Sequence, residues 1–552
     1  MWRAYPNNKK DFFDPNITFT NSISVSGGND KTTFRLSYTN VNNKWIVPNT
    51  GYNRNALALQ ASHKVTDKLS VSTNINYNNK TSDNLPTSGY NNQTIMYFIR
   101  GITPNMDLNW FKQYWRPGRE NIEQTTPFSN LLDNPYFQAY EISNGQKRNG
   151  VIGTAQANYR FIPEINLMVR TALDMQYDAR NQIRPFDTYR YPQGYYRETN
   201  IYTQETTHDF LLQYNRVKKA TIRYGMNIGG ALMDNKYIRD DLFTQKLTYP
   251  GIYNFANSAE ALTANPRRQA YSVNSLYSLV NASYKEFLFI DGSIRADWAS
   301  TLVSPQRKEV KPFYYPSLNT SFIISEAVNL PKVINYWKLR ASYASVGSGG
   351  TRPYLTSYTY NIAENFTSGL RNPAFIPNEG LKYENTTSYE LGTDFRLFKN
   401  RLTFDVTVYK SNSYNQILEV PIDPSSGYAS QIINAGEVRN KGLEVQFEGK
   451  PLVSQDGLNW RIYGNFSTND SKIISLPSEE GTVVLSTVFG SRGTIEARVG
   501  GRFGDMYGFG YNRAPSGEII YSNGLPTYSE NLLYLGNVNA RFKGGLGTEF
   551  SY

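Results

Sequence analysis

Cysteine is absent from the sequence, which excludes disulfide staples, thiolate metal sites and cysteine nucleophiles. Histidine is almost as scarce, with only His63 and His208 in 552 residues. No run of about 18 apolar residues occurs, so no helix of this chain is suited to cross a bilayer. The N-terminus, Met1-Trp2-Arg3-Ala4-Tyr5-Pro6, lacks a charged stretch followed by an apolar core, and no signal peptide is visible. Charged residues make up 19% and hydrophobic residues 39%, against roughly 25% and 45–50% in an average globular chain. The formal charge is +11, but the cations are scattered in pairs such as Lys9-Lys10, Lys218-Lys219 and Arg267-Arg268. A nucleic-acid footprint needs them clustered, so nucleic acid is not an expected partner.

Aromatic residues are abundant, at 14%, with 43 Tyr, 29 Phe and 7 Trp. Aromatic and β-branched residues suit a pleated surface, and the many Asn and Gly residues suit turns and loops. The informative signal is period-two alternation over segments of about ten residues. Leu288, Ile290, Gly292, Ile294, Ala296 and Trp298 alternate with Phe289, Asp291, Ser293, Arg295 and Asp297. The same split recurs in Leu69, Val71, Ile75 and Tyr77 against Ser70, Ser72, Asn74 and Asn76. It returns in Leu402, Phe404, Val406 and Val408 against Thr403, Asp405, Thr407 and Tyr409. Roughly sixteen such segments are expected by this template.

Short connections, such as Val65-Thr66-Asp67, Ile162-Pro163, Lys285-Glu286 and Lys399-Asn400, are tight enough for antiparallel hairpins. Long ones are expected over 78–149, 179–205, 235–270, 347–385 and 412–438. Long loops on one side and tight turns on the other are the pattern of an outer-membrane barrel. The fold expected is therefore all-β: a large antiparallel transmembrane β-barrel with short periplasmic turns and long extracellular loops. A string of soluble sandwiches is the alternative, and it calls for linkers and turn signals every 8–12 residues on both sides, neither of which is seen.

Candidate chemistry is sparse. His63 and His208 read as polar strand residues, and a serine hydrolase would need a histidine base beside its nucleophile. Gly347-Ser348-Gly349-Gly350 follows a strand with no helix after it, so its glycines supply turn freedom. No catalytic residue, metal site or cofactor is expected, and no enzyme activity. The carboxylate pairs Asp240-Asp241 and Glu479-Glu480 read as solvated loop residues, with a structural calcium site as the sharper alternative. Two loops concentrate aromatics: Trp110, Tyr114 and Trp115 in one, and Tyr189, Tyr191, Tyr195 and Tyr196 in the other. Such residues stack on sugar rings or grip a partner protein, or else pack on themselves or join an interfacial girdle.

Several segments resemble the barrel of the SusC/RagA group of TonB-dependent outer-membrane transporters. They are Ser22–Asn29 leading into Phe34–Asn40, Ile46–Arg54, Lys64–Leu69, and Leu381–Thr386 before Tyr389–Asp394. The most specific is Asn434-Ala435-Gly436-Glu437-Val438-Arg439-Asn440-Lys441-Gly442-Leu443-Glu444, and Leu535–Leu546 follows it in family order. The resemblance implies a barrel domain over residues 1–552, without the plug, TonB box and N-terminal domain of the family and with C-terminal strands missing. It implies location in the outer membrane of a Gram-negative bacterium of Bacteroidota type, surrounded by outer-membrane lipid. It also implies TonB-dependent import of large nutrients, oligosaccharides first and peptides second, with a SusD-like surface lipoprotein as partner and TonB engaged through the missing N-terminal part. The alternative is a non-transporting binding or adhesion barrel, or a truncated remnant of a transporter.

Overall fold

The structure is a computed structural model that describes residues 3–87, 94–126, 132–218, 221–309, 311–362, 369–477, 481–488 and 492–552. Seventeen strands of ten residues or more occur among the described residues. In chain order they are β1 Ile17–Gly28, β2 Thr32–Lys44, β3 Gly51–Lys64, β4 Leu69–Ser82, β5 Ser143–Ile162, β6 Ile165–Thr188, β7 Tyr191–Lys218, β8 Ile222–Thr244 and β9 Arg267–Tyr284. They continue with β10 Leu288–Ala299, β11 Phe313–Ile323, β12 Ile334–Ser348, β13 Glu384–Leu397, β14 Leu402–Tyr414, β15 Glu437–Leu452, β16 Asn459–Ser475 and β17 Phe542–Ser551. The all-β antiparallel expectation holds. The chain forms two compact units: Met1–Phe161 with Leu167–Phe210 and Leu232–Ala270, and Ile162–Asn166 with Leu211–Ala231 and Tyr271–Tyr552.

In the first unit, β1 to β5 pair in sequence order, and one row of partners runs Ile23, Tyr38, Leu57, Tyr77, Val151. The row toward the tight turns reads Val25, Leu36, Leu59, Ile75, Gly153. Most of these large side chains stand exposed on a single face, because residues two apart share a side of the pleat. From Leu69 to Tyr77 the apolar row covers eight steps, about 26 Å of strand, or about 20 Å once tilted by some 40°. Its upper limit is marked chemically. The Tyr38 hydroxyl donates to Asn55 Oδ1 at 2.6 Å, and that of Tyr77 donates to Asn149 Oδ1 at 3.0 Å. Asn40 and Asn79 donate to the same two acceptors, each at 2.8 Å.

In the second unit β10 to β14 pair in ladder order, and β14 continues to β15, β16 and β17. An apolar row runs Ala341, Leu391, Val408, Leu443. The opposite face is polar and self-neutralising. Arg340 clamps Asp405 and donates to Thr407 at 2.6 Å. Arg461 reaches Glu448 at 2.8 and 2.9 Å and Glu549 at 3.1 Å, and Arg295 reaches Asp297 at 2.8 Å. Charge-assisted pairing through the planar guanidinium neutralises both partners and fixes their geometry.

The tight turns lie where the sequence places them. Lys285 and Glu286 have left-handed φ of 46° and 60° in the three-residue connection between Tyr284 and Leu288, as do Phe398, Lys399 and Asn400 at 54°, 59° and 62° in the four-residue connection between Leu397 and Leu402. Two long-loop expectations are corrected. Residues 179–205 are strand almost throughout, since β6 and β7 extend to Thr188 and from Tyr191, and 235–270 loses its ends to β8 and β9. The Asn-, Thr- and Tyr-rich alternation there continues the sheet beyond the apolar band, so polarity alone reads as loop. His208 consequently lies within β7, its Nδ1 3.1 Å from Thr171 Oγ1. Asp240-Asp241 is corrected too. Asp241 is buried in β8, where Arg197 and Arg239 pair with it and Thr199 donates at 2.9 Å, while Asp240 pairs with Arg268.

The most specific family-like segment has a steric basis. A Cβ on Gly436 would lie 1.9 Å from the Ser475 carbonyl oxygen. One on Gly442 would lie 2.3 Å from the Tyr409 ring and 2.5 Å from the Thr468 carbonyl oxygen. Backbone atoms cannot move aside as a side chain can. Gly436→Ala is expected to destabilise the sheet by roughly 1–3 kcal/mol, read as a lower urea midpoint of protein refolded into phospholipid vesicles. An unchanged midpoint would refute this packing account.

Candidate functional site: the aromatic loops

Between β4 and β5 in the first unit, residues 94–126 and 132–142 fold as a small body. Ile95–Gly101 and Pro135–Tyr140 are short helices, and Leu108–Phe111 is a 3-10 turn. Asp107 accepts from the Asn109 N–H at 2.9 Å, which starts that turn. Phe98, Ile99, Ile102, Leu108, Phe111 and Ala139 bury one another against Phe12. The segment before β1 is tied in as well, through the Tyr5 N–H donating to the Pro104 carbonyl at 2.6 Å.

Asn134 organises this body. Its Oδ1 accepts from the Tyr136 N–H at 2.9 Å, and its Nδ2 donates to the Phe111 and Thr125 carbonyls, both at 2.9 Å. Gln124 Oε1 accepts from the Asn134 N–H at 2.9 Å, while Gln124 Nε2 donates to Asp133 Oδ1 at 2.8 Å. Asp133 Oδ1 also accepts from the Tyr189 N–H at 2.8 Å, and Asp187 Oδ2 from the Gln124 N–H at 2.8 Å. The loop is thereby bonded to the tip of the β6–β7 hairpin. Burial pushes the Asp133 carboxyl above its ordinary value, more than the hydrogen bonds from Tyr189 and Gln124 pull it down.

The seven aromatics proposed from sequence fall into different settings. Trp110 is 58% exposed and Tyr189 45% exposed. Trp115, at 9%, packs edge-on against Phe137 with centroids 5.1 Å apart, and Tyr114 stacks on Tyr140 at 6.2 Å. Tyr195 and Tyr196 are 6% and 8% exposed. Tyr195 lies between Tyr191 at 4.5 Å and Phe243 at 6.0 Å, and Tyr196 meets Phe255 at 5.0 Å. Trp110 and Tyr189 thus face outward, whereas Trp115 packs inside the loop and Tyr195 and Tyr196 are buried at the start of β7. The polar organisers Gln124, Asp133, Asn134 and Glu141 escape a search for chemistry. For Asn134 a signal is available, since Asn followed by Pro is the cap and first residue of a helix.

Glu141 holds the aromatic pair: its Oε1 accepts from the Tyr114 hydroxyl at 3.0 Å and from the Trp115 indole N–H at 3.2 Å. Burial first, and then this bond to a carboxylate, push the Tyr114 phenol up to about 12. Among the described residues no group of three His, Asp or Glu side chains forms a metal site; Glu479-Glu480 lie outside the described residues. Glu141→Gln removes the negative charge that favours the neutral phenol. The Tyr114 pKa should then fall while staying above the ordinary tyrosine value of about 10, because burial remains. Titration of ζ-¹³C-tyrosine-labelled protein by NMR, with Tyr114→Phe for assignment, checks this. A Tyr114 value that does not move would show the carboxylate to be irrelevant.

Comparison with known proteins agrees with this architecture. TonB-dependent receptor P3 of Formosa agariphila is 24% identical over 510 residues, covering 89% of this chain and 49% of that protein. TonB-dependent receptor SusC of Bacteroides thetaiotaomicron is 22% identical over 491 residues, covering 83% and 47%. The chain therefore spans about half the length of these relatives. Among solved structures, the RagAB peptide transporter superposes with a TM-score of 0.80 at 16% identity, over 100% of this chain and 62% of that one, a likeness of fold. These relatives are named as receptors or a transporter, none as an enzyme, and the sheet is that of an outer-membrane protein. The apolar face is accordingly the lipid face and the polar face the lumen. The family model described as TonB dependent receptor-like, beta-barrel matches residues 88–540, and the chain belongs to that family.

Proposed function

We propose that residues 1–552 are the receptor barrel domain of a TonB-dependent importer of large nutrients, oligosaccharides first, that works with a SusD-like surface lipoprotein. Family membership over residues 88–540 is the observation that supports this most, and oligosaccharide is placed first on the sequence resemblance to the SusC/RagA group. The barrel performs no covalent chemistry in this reading. Its lumen offers fixed, charge-paired side chains such as Arg340 with Asp405 and Arg461 with Glu448, which let a polar solute pass without a strong single-sign trap.

Among the seven candidate aromatics, Trp110 and Tyr189 are assigned to substrate or lipoprotein contact, since an exposed ring offers area with a polar handle. Tyr114, Trp115, Tyr191, Tyr195 and Tyr196 are assigned to holding the loops that present them. Peptide is the second cargo class, because the RagAB protein of the same fold is named a peptide transporter.

Deletion of the full-length gene in its native host, complemented with wild type or with Trp110→Ala/Tyr189→Ala, tests the reading. Uptake of one class of labelled oligosaccharide should be lost on deletion and equally on loss of TonB. The double variant should bind about tenfold more weakly, near 1.4 kcal/mol. Loss of peptide uptake alone would transfer the function to peptides. Undiminished uptake of both classes after deletion would sink the importer reading.

A further inference from the structure

The lipid face of β14–β16 carries an unusual charge pattern just beyond the apolar band, toward the long loops. On β14 the outward residues Val406 and Val408 are followed by Lys410, and on β15 Val445 and Leu443 are followed by Lys441 and Arg439. Lys410 is the direct cross-strand partner of Lys441, and Arg439 is that of Lys472 on β16. The three lysines are exposed and Arg439 is half-buried. Like charges directly opposite on one sheet face repel, and here two such pairs lie side by side. Nearby acids only partly offset them. Asp470 stands across from Lys441 without a salt bridge among the described residues, and Glu437 accepts from the Asn412 side chain. None of the four cations forms an ion pair among the described residues, whereas every lumen arginine named above is paired.

In the first unit, by contrast, the residues next beyond the apolar row are the neutral Asn40, Asn55, Asn79 and Asn149, with Asn55 and Asn149 accepting from tyrosine hydroxyls. The cations are therefore not a general requirement of leaving the band. Beside them lies an outward groove of about 520 Å³, lined by Leu318, Ala341, Tyr343, Tyr389, Leu391 and Val408 and ending at Lys410. Tyr343 and Tyr389 form its upper wall, with ring centroids 5.2 Å apart. An apolar furrow leading up to four cations at headgroup height matches one kind of occupant.

We propose that Lys410, Arg439, Lys441 and Lys472 bind the phosphate headgroup of an anionic outer-leaflet lipid, with an acyl chain seated in the Leu318–Val408 groove. The hydrocarbon of the membrane favours the chain in the groove, and the clustered cations select phosphorylated lipid over neutral lipid. The bound phosphate relieves the repulsion across both cross-strand pairs.

Native mass spectrometry of the full-length receptor in detergent, with added diphosphoryl lipid A, its dephosphorylated counterpart or inorganic phosphate, tests this. Wild type should retain the diphosphoryl lipid. Lys410→Gln/Arg439→Gln/Lys441→Gln/Lys472→Gln should retain at least tenfold less, and the dephosphorylated lipid should be held weakly and equally by both. The charge-preserving Lys410→Arg/Lys441→Arg/Lys472→Arg should bind as wild type does, separating loss of charge from loss of fold. Equal retention by wild type and the glutamine variant overturns the proposal. So does displacement of the lipid by inorganic phosphate alone, which would make the cluster a free-anion site.

Discussion

Inside hydrocarbon no water is available to a backbone N–H or C=O, and each unsatisfied group costs several kcal/mol. Nearly everything in this structure follows from meeting that demand with neighbouring strands. Antiparallel ladders such as β2–β3 and β14–β15 pair residue by residue over their full length. Once pairing is fixed, the pleat sends alternate side chains to opposite faces, so one strand can be apolar toward lipid and ionic toward the lumen. The glycines of the Asn434–Glu444 segment belong to the same constraint. Gly436 and Gly442 let β15 approach its neighbours closely enough for the ladder to continue.

The lumen face meets a second constraint, because charge is costly when left unpaired and poorly hydrated. Several arginines of that face sit within fork distance of a carboxylate on a neighbouring strand or two residues along, as with Arg148 and Arg180 on Asp178. The lipid face behaves differently, since its cations on β14–β16 have no such partners among the described residues.

The loops obey the rules of a soluble domain. Phe98 and Phe111 are buried in one small cluster and Phe137 in another, and both are tied to Asn134, a single side chain that caps a helix and bonds two distant carbonyls. Aromatic enrichment in a loop therefore has two meanings at once: most rings make the loop rigid, and the few left outside, Trp110 and Tyr189, are what a rigid loop can present. In the second unit the segment between β16 and β17 follows the same logic with a four-stranded sheet of its own, Thr482–Val488, Gly493–Arg498, Asp505–Gly508 and Leu533–Asn537.

Sequence by itself determined the strand type, the lipid and lumen parity and the tight turns, because period-two alternation and turn residues such as Lys285-Glu286 are local properties of the chain. The resemblance carried by Asn434–Glu444 pointed to the family in the same way. Tertiary structure alone decided where β6 and β7 stop, since beyond the lipid band both faces are polar and alternation loses its contrast. It decided that Asp241 is buried between two arginines, and that Trp115, Tyr195 and Tyr196 turn inward while Trp110 and Tyr189 do not. Those outcomes depend on which strands and loops meet across dozens of residues. Cross-strand register also brings Lys410 opposite Lys441 and Arg439 opposite Lys472, a concentration of charge that stays dispersed along the sequence until the ladder is formed.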